Sequence, residues 1–130
     1  MLTDVTHDMQ VITDETFGPL MPVMAFDTIG EAIQLANDGI YGLSAAVIAG
    51  TTEEAEAIGR QLDVGAVSLN DCSLTTMVYE AEKNSFKLSG LGGSRMGPAG
   101  YLRFFRTKAI LRQTAAPATV AVLREENAAR

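Results

Sequence analysis

Short apolar runs alternate along the chain with stretches in which apolar residues recur every three or four positions. Met21 to Phe26 (MPVMAF) is an apolar run after the turn-forming pair Gly18-Pro19, and reads as a short strand. From Thr28 to Asn37 the period changes. Ile29, Ala32, Ile33 and Ala36 stand at i, i+3, i+4 and i+7, which is one face of a helix. Thr28 and Glu31 form a Thr-x-x-Glu capping box, able to satisfy two otherwise orphan backbone N–H groups. Asn37-Asp38-Gly39 stops the helix, because Asn and Gly tolerate the left-handed conformation that often follows one. Leu43 to Ala49 (LSAAVIA) is almost continuously apolar, as suits a strand covered on both faces. Thr51 with Glu54 repeats the capping box, and Ala55, Ile58 and Leu62 repeat the apolar stripe. Gly65 breaks the pattern, and Ala66 to Leu69 reads as another strand. Three strands separated by two amphipathic helices predict an α/β fold, a parallel βαβαβ sheet with right-handed crossovers.

The regularity fades from Asn70. Residues 70–100, crowded with Ser, Thr and Gly and ending in Gly97-Pro98-Ala99-Gly100, predict a long loop region that is functional or held by other parts of a structure. Tyr101 to Arg106 reads as a short helix or turn, and Ala109 to Gln113 as a terminal strand. Thr119 to Leu123 can pair as a further strand, while Glu125 to Arg130 reads as a frayed end.

A length of 130 residues suits one domain, and a compact chain of that size buries roughly two-thirds of its unfolded surface. With 16 acidic against 10 basic residues, the net charge of −6 argues against nucleic acid as the main partner. Arg103, Arg106, Lys108 and Arg112 make a local basic cluster, read as neutralising an acidic neighbour or partner surface. No apolar run approaches the roughly 20 residues of a membrane helix, so no membrane partner is expected. The N-terminus shows no secretory pattern. A single cysteine, Cys72, excludes an internal disulfide and fits a reduced, cytoplasmic setting.

Four features could carry chemistry. Cys72 is the one obvious nucleophile, but its neighbour Asp71 would raise its pKa, and the single histidine, His7, is distant in sequence. A structural thiol and a surface histidine are the simpler readings. Metal binding by His7 with Asp4 and Asp8 lacks a second histidine. The glycines at 90, 92, 93, 97 and 100 suggest a phosphate loop, yet Pro98 and Gly100 interrupt the long helix such a loop requires. Glu15, in Asp14-Glu15-Thr16-Phe17-Gly18-Pro19, could accept hydrogen bonds from sugar hydroxyls while the Phe17 ring covers a flat heterocycle. An ordinary acidic turn before a strand is the other reading, and the residues alone leave both open.

Several stretches resemble the C-terminal part of the NAD(P)-dependent aldehyde dehydrogenase family. They are Glu15-Thr16-Phe17-Gly18-Pro19, Pro22-Val23, Glu31-Ala32-Ile33, Leu35-Ala36-Asn37, Tyr41 to Val47, Gly65-Ala66-Val67 through Asn70, and Lys87-Leu88-Ser89-Gly90-Leu91-Gly92, in the family's order. The resemblance spans about residues 1–113, leaving 114–130 as a partly disordered tail. It implies an incomplete catalytic domain, with Glu15 holding the nicotinamide ribose hydroxyls and Phe17 packing near the nicotinamide. It implies oxidation of an aldehyde by a cysteine thiolate, a glutamate base and NAD or NADP, the cysteine and base lying outside this chain; Cys72 is not at the nucleophile's place. The family's Phe-Gly-Gly before the lysine is replaced by Lys83-Asn84-Ser85. The family also pairs its terminal strand with a neighbouring subunit, which makes Ala109 to Gln113 the candidate oligomerisation segment.

Three functional readings follow. The first is a dehydrogenase fragment, inactive alone, that meets an aldehyde only in the complete enzyme and associates with missing domains or as a homo-oligomer. The second is a non-catalytic assembly module docking on a full-length homologue through sheet edges. The third is a self-sufficient thiol enzyme or hydrolase using Cys72 with His7.

Overall fold

In a computed structural model of the chain, residues 1–93 and 96–115 are described. Among them five helices and four strands follow in the order α1 (Gln10–Thr13), α2 (Ile29–Asp38), β1 (Tyr41–Gly42), β2 (Ala45–Val47), α3 (Thr52–Gly59), β3 (Val67–Leu69), α4 (Leu74–Met77), β4 (Phe86–Lys87) and α5 (Gly97–Leu102). The centre is the β2–α3–β3 unit. Its strands pair in parallel, Ala45 with Val67, Ala46 with Ser68 and Val47 with Leu69. Helix α3 lies on this pair, with Ala55 fully buried and Ile58 and Leu62 half-buried, the stripe the spacing predicted.

Both predicted caps form. The Thr28 hydroxyl accepts from the Glu31 N–H at 3.1 Å, and Thr51 accepts from Glu54 at 3.1 Å. The reciprocal bonds reach one residue further upstream than the standard box. Glu31 accepts from the Asp27 N–H at 2.8 Å and Glu54 from the Gly50 N–H at 3.3 Å.

Other expectations are corrected. Met21 to Phe26 is not a strand: it contributes one parallel bridge, Leu2 with Pro22. Pro22 has no N–H to donate, and Met24 to Phe26 line a cavity against Ala32, Leu35 and Ala36 of α2. The sheet is therefore a two-stranded parallel pair, with β1 and β4 as a separate antiparallel pair. Gly39 ends α2 in an extended conformation (φ −65°), not a left-handed one. Residues 70–100 hold α4, β4 and the start of α5. Residues 109–113 form no strand among the described residues, and Ile110 and Leu111 are 84 % and 93 % exposed. The expected strand at 119–123 and frayed end at 125–130 lie outside the described residues.

The core is much smaller than the length suggested. Among the described residues the buried hydrophobic side chains are Val47 and Ala55, with Ser68 the buried polar one. The accessible surface is 10872 Å², whereas a closed globule of this mass exposes about 6,600 Å². Phe17, Leu91, Phe104 and Leu111 are among the side chains left open. Three strand residues on each side of one ladder give too few inward positions to bury the rest.

What the spacing could not show is how α2 ends. Lys87, in the left-handed region at φ 50°, donates its Nζ to the carbonyls of Asn37 at 2.7 Å and Gly39 at 2.9 Å. The same Nζ lies 3.5 Å from the Asp63 carboxylate. Asn37 in turn donates to the Gln61 carbonyl and accepts from the Asp63 N–H. Removing the ammonium with Lys87→Met leaves these carbonyls without their charged donor and is expected to cost about 2 kcal/mol. Faster hydrogen exchange at the end of α2 checks this.

Candidate functional site

Glu15 lies on the exposed segment between α1 and α2, and its side chain lines a cavity of about 330 Å³. The opposite walls come from Tyr41 and Gly42 of β1, Leu43 and Ser44 beyond it, Val64, and Leu88 and Ser89 after β4. Two contacts hold those walls. The β1–β4 pairing sets Tyr41 against Lys87 and Gly42 against Phe86. The Ser89 hydroxyl also accepts from the Gly42 N–H at 2.9 Å. No residue larger than glycine fits at 42, where a Cβ would sit 2.6 Å from the Asp63 carbonyl oxygen.

Phe17 does not join Glu15 there. It is 96 % exposed and is not one of the residues lining the Glu15 cavity. The structure thus brings Glu15, but not Phe17, onto a concave surface. A carboxylate accepts and does not donate, so together with the neighbouring Ser44 and Ser89 hydroxyls it suits a ligand bearing adjacent hydroxyls. A ribose, with its vicinal hydroxyls, is such a ligand.

A second cavity of about 620 Å³ shares Leu43, Ser44 and Ser89 with the first. Its walls include Thr75, Thr76 and Tyr79, the Lys83-Asn84-Ser85 stretch, Gly90, Gly92 and Gly93, and Arg103. The glycine-rich stretch serves here as a wall. Gly92, Gly93 and Gly97 have positive φ, and the helix that follows is the six-residue α5. The phosphate-loop geometry of a long following helix is not formed. Sequence reading did not single out Ser44, Tyr79 or Ser89 as site residues. Ser44 lies 35 positions from Tyr79 and 45 from Ser89, a separation for which the local pattern holds no signal.

Asp71 organises the start of this wall. Its Oδ1 accepts from the Ser73 N–H, the Ser73 hydroxyl and the Leu74 N–H, forming the turn that opens α4. The N–H of Thr75 donates to the buried Ser68 hydroxyl at 3.1 Å, tying α4 to β3. Hydrogen bonds from the Ser73 backbone, then from its hydroxyl, hold the Asp71 carboxyl below its ordinary value of 3.8, with desolvation opposing them. A depressed carboxylate pKa stabilises the fold above the ordinary value and loses that contribution as pH falls through the folded value. Residues 71–77 are therefore expected to loosen below about pH 3.8 and not in the neutral range. Asp71→Asn, which keeps one acceptor but cannot titrate, is expected to remove that acid dependence in amide-exchange measurements.

The Cys72–His7 reading is overturned. The thiol is free and exposed, while His7 is half-buried, with Nε2 3.1 Å from Asp38 and Nδ1 buried without a partner among the described residues. Packed against α2, the imidazole is also not the surface side chain expected. Among the described residues no three His, Cys, Asp or Glu side chains converge to hold a metal ion. No helix among them is long and apolar enough to cross a membrane.

Comparison with known proteins carries the identification. A profile of the aldehyde dehydrogenase family matches residues 1–110. The chain is 39% identical over 110 residues to the chloroplastic betaine aldehyde dehydrogenase of Atriplex hortensis, covering 85% of this chain and 21% of that one. It resembles the crystal structure of betaine aldehyde dehydrogenase from Staphylococcus aureus in complex with NAD+ at 36% identity and a TM-score of 0.80, covering 91% of this chain and 23% of that one. It also resembles a provisionally assigned aldehyde dehydrogenase, PutA from Anabaena variabilis, at 56% identity and a TM-score of 0.79, covering 90% of this chain and 25% of that one. The chain thus spans about a fifth of the length of the curated relatives it matches. On the family match over residues 1–110, the chain belongs to the aldehyde dehydrogenase family.

Proposed function

We propose that this chain is the ribose-holding segment of an NAD(P)-dependent aldehyde dehydrogenase. The complete enzyme converts an aldehyde, water and NAD(P)+ into a carboxylate, NAD(P)H and two protons. The observation that carries the reading is the Glu15 carboxylate on the wall of a cavity, in a chain matched by the family over residues 1–110. When bound, NAD(P) supplies the hydride acceptor. Glu15 would hold the nicotinamide ribose, its carboxylate accepting hydrogen bonds from the ribose hydroxyls. Phe17, 96% exposed here, would pack near the nicotinamide in the complete enzyme. The β1–β4 pair and Lys87 keep the opposite wall in place. The cysteine nucleophile and the glutamate base belong to parts of the enzyme outside these 130 residues.

The exposed surface fits a piece that needs neighbours. Residues 109–113 are proposed to pair with an adjacent subunit, and the enzyme to work as a homo-oligomer in the cytoplasm. The open apolar side chains also favour a second reading, a non-catalytic module docked on a full-length homologue. The isolated chain is expected to form no NAD(P)H from any aldehyde, and the complete protein to do so. Mixing the chain with a full-length homologue separates the readings, since a docking module co-elutes with it and a mere fragment does not.

A further inference from the structure

Asp38 stands in the last turn of α2, where no basic residue of the helix offsets it. A helix C-terminus already carries partial negative charge, so a carboxylate there attracts donors from elsewhere in the chain. Two segments supply them. Lys87 of β4 gives its Nζ to the Asn37 and Gly39 carbonyls at 2.7 and 2.9 Å. From the N-terminal segment, His7 places Nε2 3.1 Å from the Asp38 carboxylate. The imidazole otherwise meets apolar surface. It lines a cavity with Ile12, Leu35 and Ala36, and its Nδ1 is buried without a partner among the described residues. A buried nitrogen without a partner costs stability, so packing alone would favour an aliphatic side chain at position 7. What the imidazole adds is the bond to Asp38.

These two donors belong to opposite sides of the Glu15 cavity. Lys87 pairs with Tyr41 across β1–β4, and Tyr41, Gly42 and Leu88 line the wall facing Glu15. His7 leads into Glu15 through a continuous run of backbone hydrogen bonds. The Met9 N–H donates to Thr6 at 3.1 Å, the Ile12 and Thr13 N–H groups to Met9, and the Asp14 N–H to Gln10 at 2.8 Å. Leu2 closes the same segment from the far side, donating to Met21 and accepting from Val23, both at 2.9 Å. A shift of His7 along α2 therefore carries Glu15 with it. Resting on the ribose-holding reading above, we propose that the Asn37-Asp38-Gly39 end of α2 is the common anchor of this cavity, and that His7 is the positioning residue that fastens the Glu15 wall to it. His7 touches no cofactor; it acts through Asp38 and α1.

The test uses the complete protein, varying NAD(P) at saturating aldehyde and then the reverse. His7→Leu, which suits the apolar surface but has no donor, is expected to raise the KM for NAD(P) about fivefold. It should change kcat and the aldehyde KM little. His7→Gln, whose amide offers Asp38 a donor, is expected to restore most of the loss. Asp38→Ala is expected to match His7→Leu, and the double variant to be no worse than either. Arg60→Leu breaks the pair with Glu56, away from the cavity, and is expected to leave both KM values unchanged. Equal changes in the two KM values, no rescue by His7→Gln, or independent effects of the two substitutions overturns the fastening. If His7→Leu does not fold, Asp38→Ala decides, since that side chain is 69% exposed: a raised KM for NAD(P) upholds the fastening and an unchanged one overturns it. Amide exchange at Ile12, Thr13 and Asp14 gives a readout free of turnover, and it is expected to quicken in His7→Leu. If Glu15→Ala leaves the KM for NAD(P) unchanged, the ribose reading fails and that exchange decides the fastening alone: lost protection upholds it, and unchanged protection overturns it.

Discussion

Replacing Glu15 with alanine in the complete protein is expected to lower kcat/KM for NAD(P) about a hundredfold. The carboxylate is the acidic group lining the smaller cavity. A ribose offers it two hydroxyl donors. Each charge-assisted bond contributes about 1.5 kcal/mol, and 1.4 kcal/mol is tenfold in affinity. Glu15→Gln keeps an acceptor oxygen without the charge, so its loss should be nearer tenfold. Because the lost contacts are to the cofactor, the KM for NAD(P) rises much more than that for the aldehyde. Equal effects on both substrates would mean that Glu15 supports the fold of the site and does not hold the ribose.

The second large effect comes from a glycine. At Gly65 a Cβ would lie 1.9 Å from the Asn84 carbonyl oxygen and 2.4 Å from its carbon, with the Ser85 nitrogen at 3.1 Å. All three are backbone atoms, so no rotamer change relieves the overlap. The same glycine accepts from the Asn84 N–H at 3.2 Å and donates to the Gly42 carbonyl at 3.1 Å, linking the walls of the two cavities. Gly65→Ala must push Asn84 and Ser85 away from residue 65, at an expected cost of about 2 kcal/mol or more. Gly39→Ala is the matched control, since nothing lies within 4 Å of its Cβ position. Amide exchange of the complete protein is expected to show lost protection at Asn84 in Gly65→Ala and little change in Gly39→Ala. Equal protection in both variants would show that the 84–65 contact is not closely held.

These two residues mark how far local pattern reaches. Thr28 and Thr51 cap their helices as their spacing requires, because a cap is a contact across three positions. The β2–β3 ladder was also legible, since a continuous apolar run with an amphipathic helix has few other ways to be covered. Met21–Phe26 and 109–113 carry strand-like patterns without forming strands. A strand needs a partner edge, and among the described residues Met21–Phe26 has only the bridge to Leu2. Lys87 on the end of α2 and Asn84 on Gly65 join positions about 50 and about 20 residues apart, and no periodicity records such a bond. Glu15 was legible only through its motif. Its cavity exists because β1 and β4 meet, which the loop-like reading of residues 70–100 did not contain.

The most direct measurement is a crystal structure of the complete protein with NAD(P)+ bound. Both nicotinamide ribose hydroxyls are expected at hydrogen-bonding distance, about 2.5–2.7 Å, from the Glu15 carboxylate oxygens. Phe17 is expected against the nicotinamide ring. A ribose held elsewhere, with Glu15 still facing solvent, would contradict this placement.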